Sequence, residues 1–209
     1  MAMQFEQLTE EHQAFIKEQA MFFVATADTE GYVNLSPKGM DSLRIVDERR
    51  VDWLNLTGSG NESAAHVRRT GRMTIMFCSF GEKPLILRLY GQAKVIHEAD
   101  NEWNEAISHF PAFTGARQVF RVALDMVQTS CGYSVPKFQL LEERSTLTDW
   151  ADSNGREGIR SYWAKKNQRS LDGQETGIAA SLGAAGDPGA RPAHQKVSPA
   201  DPEATSESS

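Results

Sequence analysis

The spacing of the apolar stretches constrains the fold of this chain more than any other feature. Between residues 21 and 128, six or seven short apolar stretches are separated by turns of a few residues, such as 28–31 and 81–84. This spacing is typical of β-hairpins, whereas strands that alternate with helices would predict a parallel sheet. The sequence therefore predicts a mainly β fold, an antiparallel barrel or sandwich with helices at its ends.

Capping residues predict where several elements begin and end. Thr9 precedes two glutamates and is the expected N-cap of a first helix. A short helix is predicted over 62–69, and Gly71 is expected to end it. Asp100 is predicted to cap a later helix, and the last strand is predicted over 118–128.

The composition divides the chain into two parts. From residue 170 onward there is no aromatic residue, and 23 of 40 positions are Gly, Ala, Ser or Pro. Such a segment buries too little apolar surface to offset its ordering entropy. The sequence therefore predicts one domain over 1–172, with two helical stretches near its end (146–151 and 158–167), and a disordered acidic tail over 173–209.

Charge and residue usage exclude several classes of protein. The net charge is -6 and the pI about 5.4, whereas a general nucleic-acid binder is usually basic. The sequence has no run of 18 apolar residues and no apolar core in its first residues, so neither a membrane span nor a signal peptide is expected. Two cysteines, Cys78 and Cys131, do not make a disulfide framework, which favours the cytoplasm. The five histidines lack metal-ligand spacing, so no metal site is predicted.

A glycine-rich turn, TGSGNES over 57–63, follows a strand and opens the short helix. It is not a Rossmann fingerprint, because Ser63 stands where the third glycine belongs and hairpins precede the strand. It is not a Walker turn either, since no Gly-Lys-Ser/Thr occurs. Hydroxyl and amide side chains at a helix N-terminus favour an anion, but Thr57 or Ser59 as a simple helix cap fits the same residues. Composition alone does not separate these two interpretations.

Five stretches, taken together and in order, resemble the pyridoxamine 5'-phosphate oxidase-like family of FMN-binding split barrels. The resemblance covers about residues 5–173. The stretches are FFVATADTEGYVNLSPKGMDSLRIV, LNLTGSGNESAAHVRRTGRMTIMFCSF, LILRLYGQAKVI, QTSCGYSVP and KKNQRSLDG. It implies an antiparallel split β-barrel of six or seven strands with peripheral helices, FMN as cofactor, and a homodimer with cofactor sites at the subunit interface.

The resemblance also implies a set of cofactor-binding residues. In that family the first strands, an arginine and a Thr/Ser turn surround the flavin. The positions carried over to this sequence are Ser36 and Lys38 near the ring system, Arg44 and Arg88 near the flavin, Leu56 and Thr57 beside the phosphate, and Ser59, Asn61 and Ser63 on the turn. Cys131 and Tyr133, with Gly132 and Pro136, are expected to come from the second subunit.

One departure from the family separates this chain from a pyridoxine-pathway oxidase. The authentic oxidase carries an Arg-Lys pair in the turn, where this chain has Glu62 and Ser63. Because a carboxylate repels a phosphate, either Lys38, Arg44 or Arg88 supplies the positive charge or the ligand sits differently. The resemblance implies an FMN-dependent oxidoreductase that acts on a small, unidentified molecule. The alternatives are a deazaflavin or haem on the same barrel, or a flavin-binding protein without catalysis. No residue is required to act as acid or base, although Lys38 and Tyr133 are candidates.

Overall fold

A computed structural model describes residues 2–183 and shows eight strands and five helices in that range. The strands are β1 (Met3–Phe5), β2 (Phe22–Thr26), β3 (Asn34–Lys38), β4 (Leu43–Asp47), β5 (Arg50–Leu56), β6 (Arg72–Cys78), β7 (Ile86–His97) and β8 (Ala116–Ser130). The helices are α1 (Glu10–Glu18), α2 (Glu62–Thr70), α3 (Trp103–Ile107), α4 (Thr146–Lys166) and α5 (Ala179–Leu182).

All eight strands form one antiparallel sheet in the order β3-β2-β6-β7-β8-β5-β4, and β1 pairs with β8. In a flat sheet, β2 and β5 would lie about 19 Å apart, since neighbouring strands are spaced by about 4.8 Å. Instead, the rings of Phe22 and Trp53 have centroids 6.5 Å apart, and the Lys38 ammonium lies 5.3 Å from the centre of the Trp53 ring. The sheet therefore curls into an open barrel whose edge strands, β3 and β4, are not hydrogen-bonded to each other.

The predicted fold class, a mainly antiparallel β fold with peripheral helices, is confirmed. The strand count is eight instead of six or seven, because β1 is a three-residue strand without a clear alternating pattern. The core fills the barrel with apolar side chains, and Trp53 stacks on Phe120 at 4.8 Å across β5 and β8. This stacked pair fixes the strand from which the glycine-rich turn leaves the barrel.

Two of the three predicted caps are confirmed. The Thr9 hydroxyl accepts the N–H of His12 at 3.2 Å, and Gly71 ends α2 in the left-handed conformation (φ 69°), which suits a glycine. Asp100 does not cap α3, which begins at Trp103; its carboxylate accepts the N–H of His97 at 2.8 Å instead. Asp100 therefore closes the turn after β7, and the predicted cap there was wrong.

The C-terminal part of the described chain folds back on the barrel. α4 contains a break at Gly155, so it consists of two helical segments, as the sequence predicted. Residues 173–183 were predicted to belong to the tail, but Ile178 is fully buried beside Trp163 and α5 lies in this segment. The predicted boundary at 172 is wrong for these residues, because one isoleucine in a polar segment anchors it. The rest of the predicted tail, 184–209, lies outside the described residues.

Among residues 2–183, none of the helices combines the length and the apolar character that crossing a bilayer requires.

Candidate anion-binding site

The glycine-rich turn lies at the mouth of a cleft of about 340 Å³ where β3 approaches the end of β5 and the start of α2. Each residue of the lining is polar or a glycine. It consists of Asn34, Ser36 and Lys38 from β3, Asn55 from β5, and Gly58, Ser59, Gly60, Asn61, Glu62 and Ser63 from the turn and α2. Every second residue of β3 therefore faces the cleft, since side chains of a strand alternate between its two faces.

The N-terminus of α2 opens into this cleft without a side-chain cap. Asn61 occupies the N-cap position, but its side chain makes no capping hydrogen bond. Its amide is instead paired with Gln118, whose Nε2 donates to the Asn61 Oδ1 at 2.6 Å. The simple cap considered from the sequence, by Thr57 or Ser59, is absent. The first N–H groups of a nine-residue helix and the positive end of its dipole are therefore left for another acceptor.

Two cations act on the cleft. Lys38 has no ion pair with any described carboxylate, and burial, together with the charge of Arg117, lowers its pKa to about 8. Arg117 is only 2% exposed and lies behind the turn, where its Nη1 donates to the Gly60 carbonyl at 2.9 Å. Burial lowers the Arg117 pKa to about 9, although Tyr162 and Glu62 raise it. A buried cation without an anionic partner is costly, so both groups favour a bound anion.

Glu62, the residue that departs from the family, is held by the C-terminal segment. Its carboxylate accepts the N–H of Leu171 at 2.7 Å. A carboxylate in the first turn of a helix is also stabilised by the helix dipole. The negative charge in the cleft is thus partly satisfied within the chain, and Lys38 and Arg117 leave the charge balance around the turn positive.

The structure brings together five of the eleven predicted site residues. Ser36, Lys38, Ser59, Asn61 and Ser63 all line the cleft. Of the three residues proposed to supply positive charge to the turn, only Lys38 is among them. The other six do not line it.

Leu56 and Thr57 are used inside the protein. Leu56 packs against an apolar cluster that contains Leu54, Ile96 and Phe110, and Thr57 is 1% exposed. The Thr57 hydroxyl donates to the Gly115 carbonyl at 2.8 Å and accepts from the indole N–H of Trp163 at 2.9 Å. Both of its hydrogen-bonding functions are therefore occupied by protein groups.

The predicted arginines lie elsewhere on the barrel. Arg44 pairs with Asp41, donates to the His109 carbonyl at 2.7 Å and stacks over Phe110. Arg88 lies on β7 and donates to the Ser130 hydroxyl at 3.0 Å. Neither residue reaches the turn within one subunit.

Cys131 and Tyr133 follow β8 on an exposed segment, where Tyr133 is 81% exposed and Cys131 is a free thiol. They do not line the cleft of their own chain. The predicted contribution of this segment to the site of a second subunit stays a prediction.

Sequence reasoning missed Arg117 and Asn34. The last strand was predicted to start at Gln118, so Arg117 fell outside it, although β8 begins at Ala116. The signal available in the sequence was that this arginine directly precedes the predicted strand. Asn34 alternates with Ser36 and Lys38 along β3, so the period-2 pattern contained it as well.

Asn34 also connects the cleft to the buried side of α2. Its Nδ2 donates to the Ser63 hydroxyl at 3.1 Å and to the Thr26 hydroxyl at 3.2 Å. Thr26 in turn is hydrogen-bonded to the ring Nδ1 of the buried His66 at 3.1 Å. Because the Ser63 oxygen accepts from Asn34, its own O–H is left to donate elsewhere.

The donor set fits a phosphate ester. It combines hydroxyls, amides, helix N–H groups and an ammonium, which are typical phosphate ligands. None of the described residues that line the cleft is a histidine, cysteine, methionine or tyrosine, the residue types that ligate haem iron. Within residues 2–183, no group of three or more His, Cys, Asp or Glu side chains is arranged to hold a metal ion.

Comparison with known proteins identifies the family of the chain. The model of the family "Pyridoxamine 5'-phosphate oxidase" matches residues 8–131. The pyridoxamine 5'-phosphate oxidase family protein ustO of Aspergillus flavus is 32% identical over 187 residues, which cover 81% of this chain and 75% of that protein.

Two solved structures are also similar. A variant of HupZ from Group A Streptococcus has 22% identity and a TM-score of 0.48, over 58% of this chain and 98% of that chain. An FAD-binding protein of Mesorhizobium loti has 12% identity and a TM-score of 0.42, over 62% of this chain and 97% of that chain. The family match spans the curled sheet from the start of α1 through β8, including the glycine-rich turn. The chain belongs to the pyridoxamine 5'-phosphate oxidase family.

Proposed function

We propose that this chain is an FMN-binding protein that holds the FMN phosphate at the N-terminus of α2. The observation that carries the proposal is an uncapped helix N-terminus flanked by Lys38 and the hydroxyls of Ser36, Ser59 and Ser63. Membership of the pyridoxamine 5'-phosphate oxidase family supports a flavin as the phosphate-bearing ligand.

The residues of the cleft would bind the phosphate through both a positive charge and hydrogen bonds. Lys38 brings an ammonium group to a cleft in which no other cation is part of the lining. Ser63, whose oxygen accepts from Asn34, donates its O–H toward the ligand, and the turn adds backbone N–H groups. Charge-assisted hydrogen bonds of this kind contribute about 1.5–3 kcal/mol each.

The proposed activity is oxidoreduction of a small molecule. Bound FMN would supply hydride or electron transfer at its ring system, and the protein would position and enclose it. The chain offers Lys38 as a group that exchanges a proton near neutral pH, since its pKa is lowered to about 8 by burial and by Arg117. Its substrate is proposed only as a small molecule that fits beside a flavin.

The same proposal includes a homodimer. β3 is polar toward the cleft, whereas Leu35 on its other face is 64% exposed and Val33, just before the strand, is 72% exposed. The preceding Tyr32 is 70% exposed as well. An apolar patch on an edge strand beside the cleft favours burial against a second copy of the chain.

The test is the absorbance spectrum of the purified protein, with mass spectrometry of the ligand released from it. We expect the two visible bands of an oxidised flavin and the mass of FMN. Bleaching by NADH or NADPH, followed by recovery with an electron acceptor, would support catalysis. A colourless protein that takes up no FMN in a titration would remove the proposal, and the mass of a deazaflavin or a haem spectrum would replace its cofactor.

A further inference from the structure

The C-terminal segment is hydrogen-bonded to four of the seven residues of the glycine-rich turn: Thr57, Gly58, Asn61 and Glu62. The indole of Trp163 donates to Thr57, and the main-chain N–H of Leu171 donates to Glu62. Between these two contacts, the single residue Asn167 makes or organises the others. Asn167 lies directly after α4, beyond the region that matches the family, and is fully buried.

Three of the four polar atoms of Asn167 hold the turn and the residues around it, while its main-chain N–H donates to the Trp163 carbonyl. Its Nδ2 donates to the Gly58 carbonyl at 3.1 Å, and its Oδ1 accepts from Arg117 at 2.8 Å. Its main-chain carbonyl accepts from the side chains of Asn61 at 3.3 Å and Thr176 at 2.7 Å. Arg117 also donates to the Gly60 carbonyl. The Asn167 side chain therefore holds the Gly58 peptide directly and the Gly60 peptide through Arg117.

The direction of these bonds determines where the turn N–H groups point. In a planar trans peptide, the C=O and the N–H of the same unit point in opposite directions. When the Gly58 and Gly60 carbonyls are held by Asn167 and Arg117, the N–H groups of Ser59 and Asn61 point away from the C-terminal segment. Residues 58–63 line the cleft on that opposite side.

Asn167 also orients Arg117 without forming an ion pair with it. No described carboxylate forms an ion pair with Arg117, and its Nε is buried without a hydrogen-bond partner among the described residues. A neutral amide partner orients the guanidinium without cancelling its charge, whereas a carboxylate in the same place would cancel it.

We infer that Asn167 is a positioning residue of the cleft, which holds the turn and Arg117 so that N–H groups and positive charge face the phosphate of the ligand. The inference rests on the proposed function. The segment after the family-matched region would then contribute to ligand binding. It would do so by holding the turn, without contacting the ligand.

The experiment compares the full chain with three variants: Asn167→Ala, Asn167→Asp and Gln168→Ala. Gln168 is the matched control, since it neighbours Asn167 but its side chain donates to Ala164 within α4. Affinities for FMN and for riboflavin, which lacks the phosphate, are measured by calorimetry. Unfolding midpoints without ligand report the structural cost separately.

We expect Asn167→Ala to weaken FMN about tenfold while riboflavin changes by less than about twofold. Asn167→Asp has the same shape but places a carboxylate on Arg117, so it should weaken FMN at least as much. Gln168→Ala should change neither affinity. An equal loss of affinity for FMN and riboflavin would overturn the inference, and so would an unchanged FMN affinity in a folded Asn167 variant. If Asn167→Ala does not fold, the affinities of Asn167→Asp decide.

A second arm separates this inference from the proposed function. Inorganic phosphate is titrated while the amide resonances of Gly58 and Gly60 are followed by NMR. If the wild-type turn responds to phosphate but the protein binds no FMN, the proposed function fails, and the inference is decided by whether Asn167→Ala weakens the phosphate response. No response of the wild-type turn to phosphate would overturn the inference itself.

Discussion

At the scale of single residues, Lys38 is the group whose charge matters most for binding the phosphate. Burial and the nearby Arg117 lower its pKa to about 8, and Trp53 on β5 and Glu62 on α2 are its other neighbours around the cleft. A bound phosphate dianion favours the charged form of Lys38. Binding should therefore be strongest below about pH 8 and weaken as Lys38 loses its proton at higher pH.

The corresponding prediction is a pH dependence that only the phosphate-bearing flavin shows. Above about pH 8, the dissociation constant of FMN should rise by up to about tenfold per pH unit, while that of riboflavin stays constant. Calorimetric titrations at several pH values measure it. Lys38→Met should abolish the dependence and Arg44→Met should preserve it, because Arg44 is paired with Asp41 outside the cleft. A pH-independent affinity for FMN would exclude Lys38 as the phosphate cation.

His97 gives a second prediction at this scale, for stability. It is 4% exposed, and burial lowers its pKa from 6.5 to about 4. Because the unfolded chain then binds a proton that the folded chain does not, stability is complete above about pH 6.5 and falls as pH decreases toward 4. We expect the free energy of unfolding to drop by about 2 kcal/mol between about pH 7 and about pH 5.

Urea unfolding at the two pH values measures this drop. His97→Gln should flatten the pH dependence, whereas the more exposed His109, substituted in the same way, should leave it as in the wild type. An unchanged slope in His97→Gln would show that other groups cause the acid sensitivity.

At the scale of elements, a buried ion pair joins β5 to β8 below the site. Asp52 is fully buried, and Arg121 binds it with three hydrogen bonds of 2.9–3.2 Å. Asp52→Ala removes these buried charge-assisted hydrogen bonds, although Arg121 keeps Glu105 as an ion-pair partner at 2.7 Å. The substitution should therefore lower the free energy of unfolding by about 2 kcal/mol.

The matched control is Asp41→Ala, which removes an exposed ion pair with Arg44 and should cost less than about 1 kcal/mol. Chemical denaturation of both variants gives the comparison. Similar costs for the two substitutions would contradict the importance of burial at Asp52.

Local patterns predicted the elements better than the contacts between them. Thr9, Gly71 and the glycine-rich turn follow rules that involve only neighbours in sequence, so their roles were predictable. The absence of a side-chain cap on α2 was not predictable, because the Asn61 side chain is hydrogen-bonded to Gln118, which lies 57 positions away in the sequence. Arg117 was missed because a boundary error of two residues removed it from β8, and no local rule predicts an arginine that is buried without a described carboxylate partner.

At the scale of the whole molecule, the two faces of β3 connect the site with assembly. Asn34, Ser36 and Lys38 line the cleft, while Val33 and Leu35 present an apolar face to solvent. A strand on a barrel usually turns its apolar face inward, so this inversion favours a partner on the outer face. The proposed dimer would bury that face.

Light scattering after size-exclusion chromatography should give the mass of two chains for the wild type. Leu35→Asp should shift the protein toward the monomer, because it places a charge in the apolar patch. Asn104→Asp, an exposed substitution on α3, should leave the dimer unchanged. A monomeric wild-type protein at micromolar concentration would contradict the dimer.

A calorimetric titration of the wild-type protein with FMN and with riboflavin tests directly whether the cleft binds a phosphate. If the cleft is a phosphate site built on the N-terminus of α2, FMN should bind at least about tenfold more tightly than riboflavin, and Lys38→Met should remove most of that difference. Equal affinity for the two flavins, or no binding of FMN, would contradict the account.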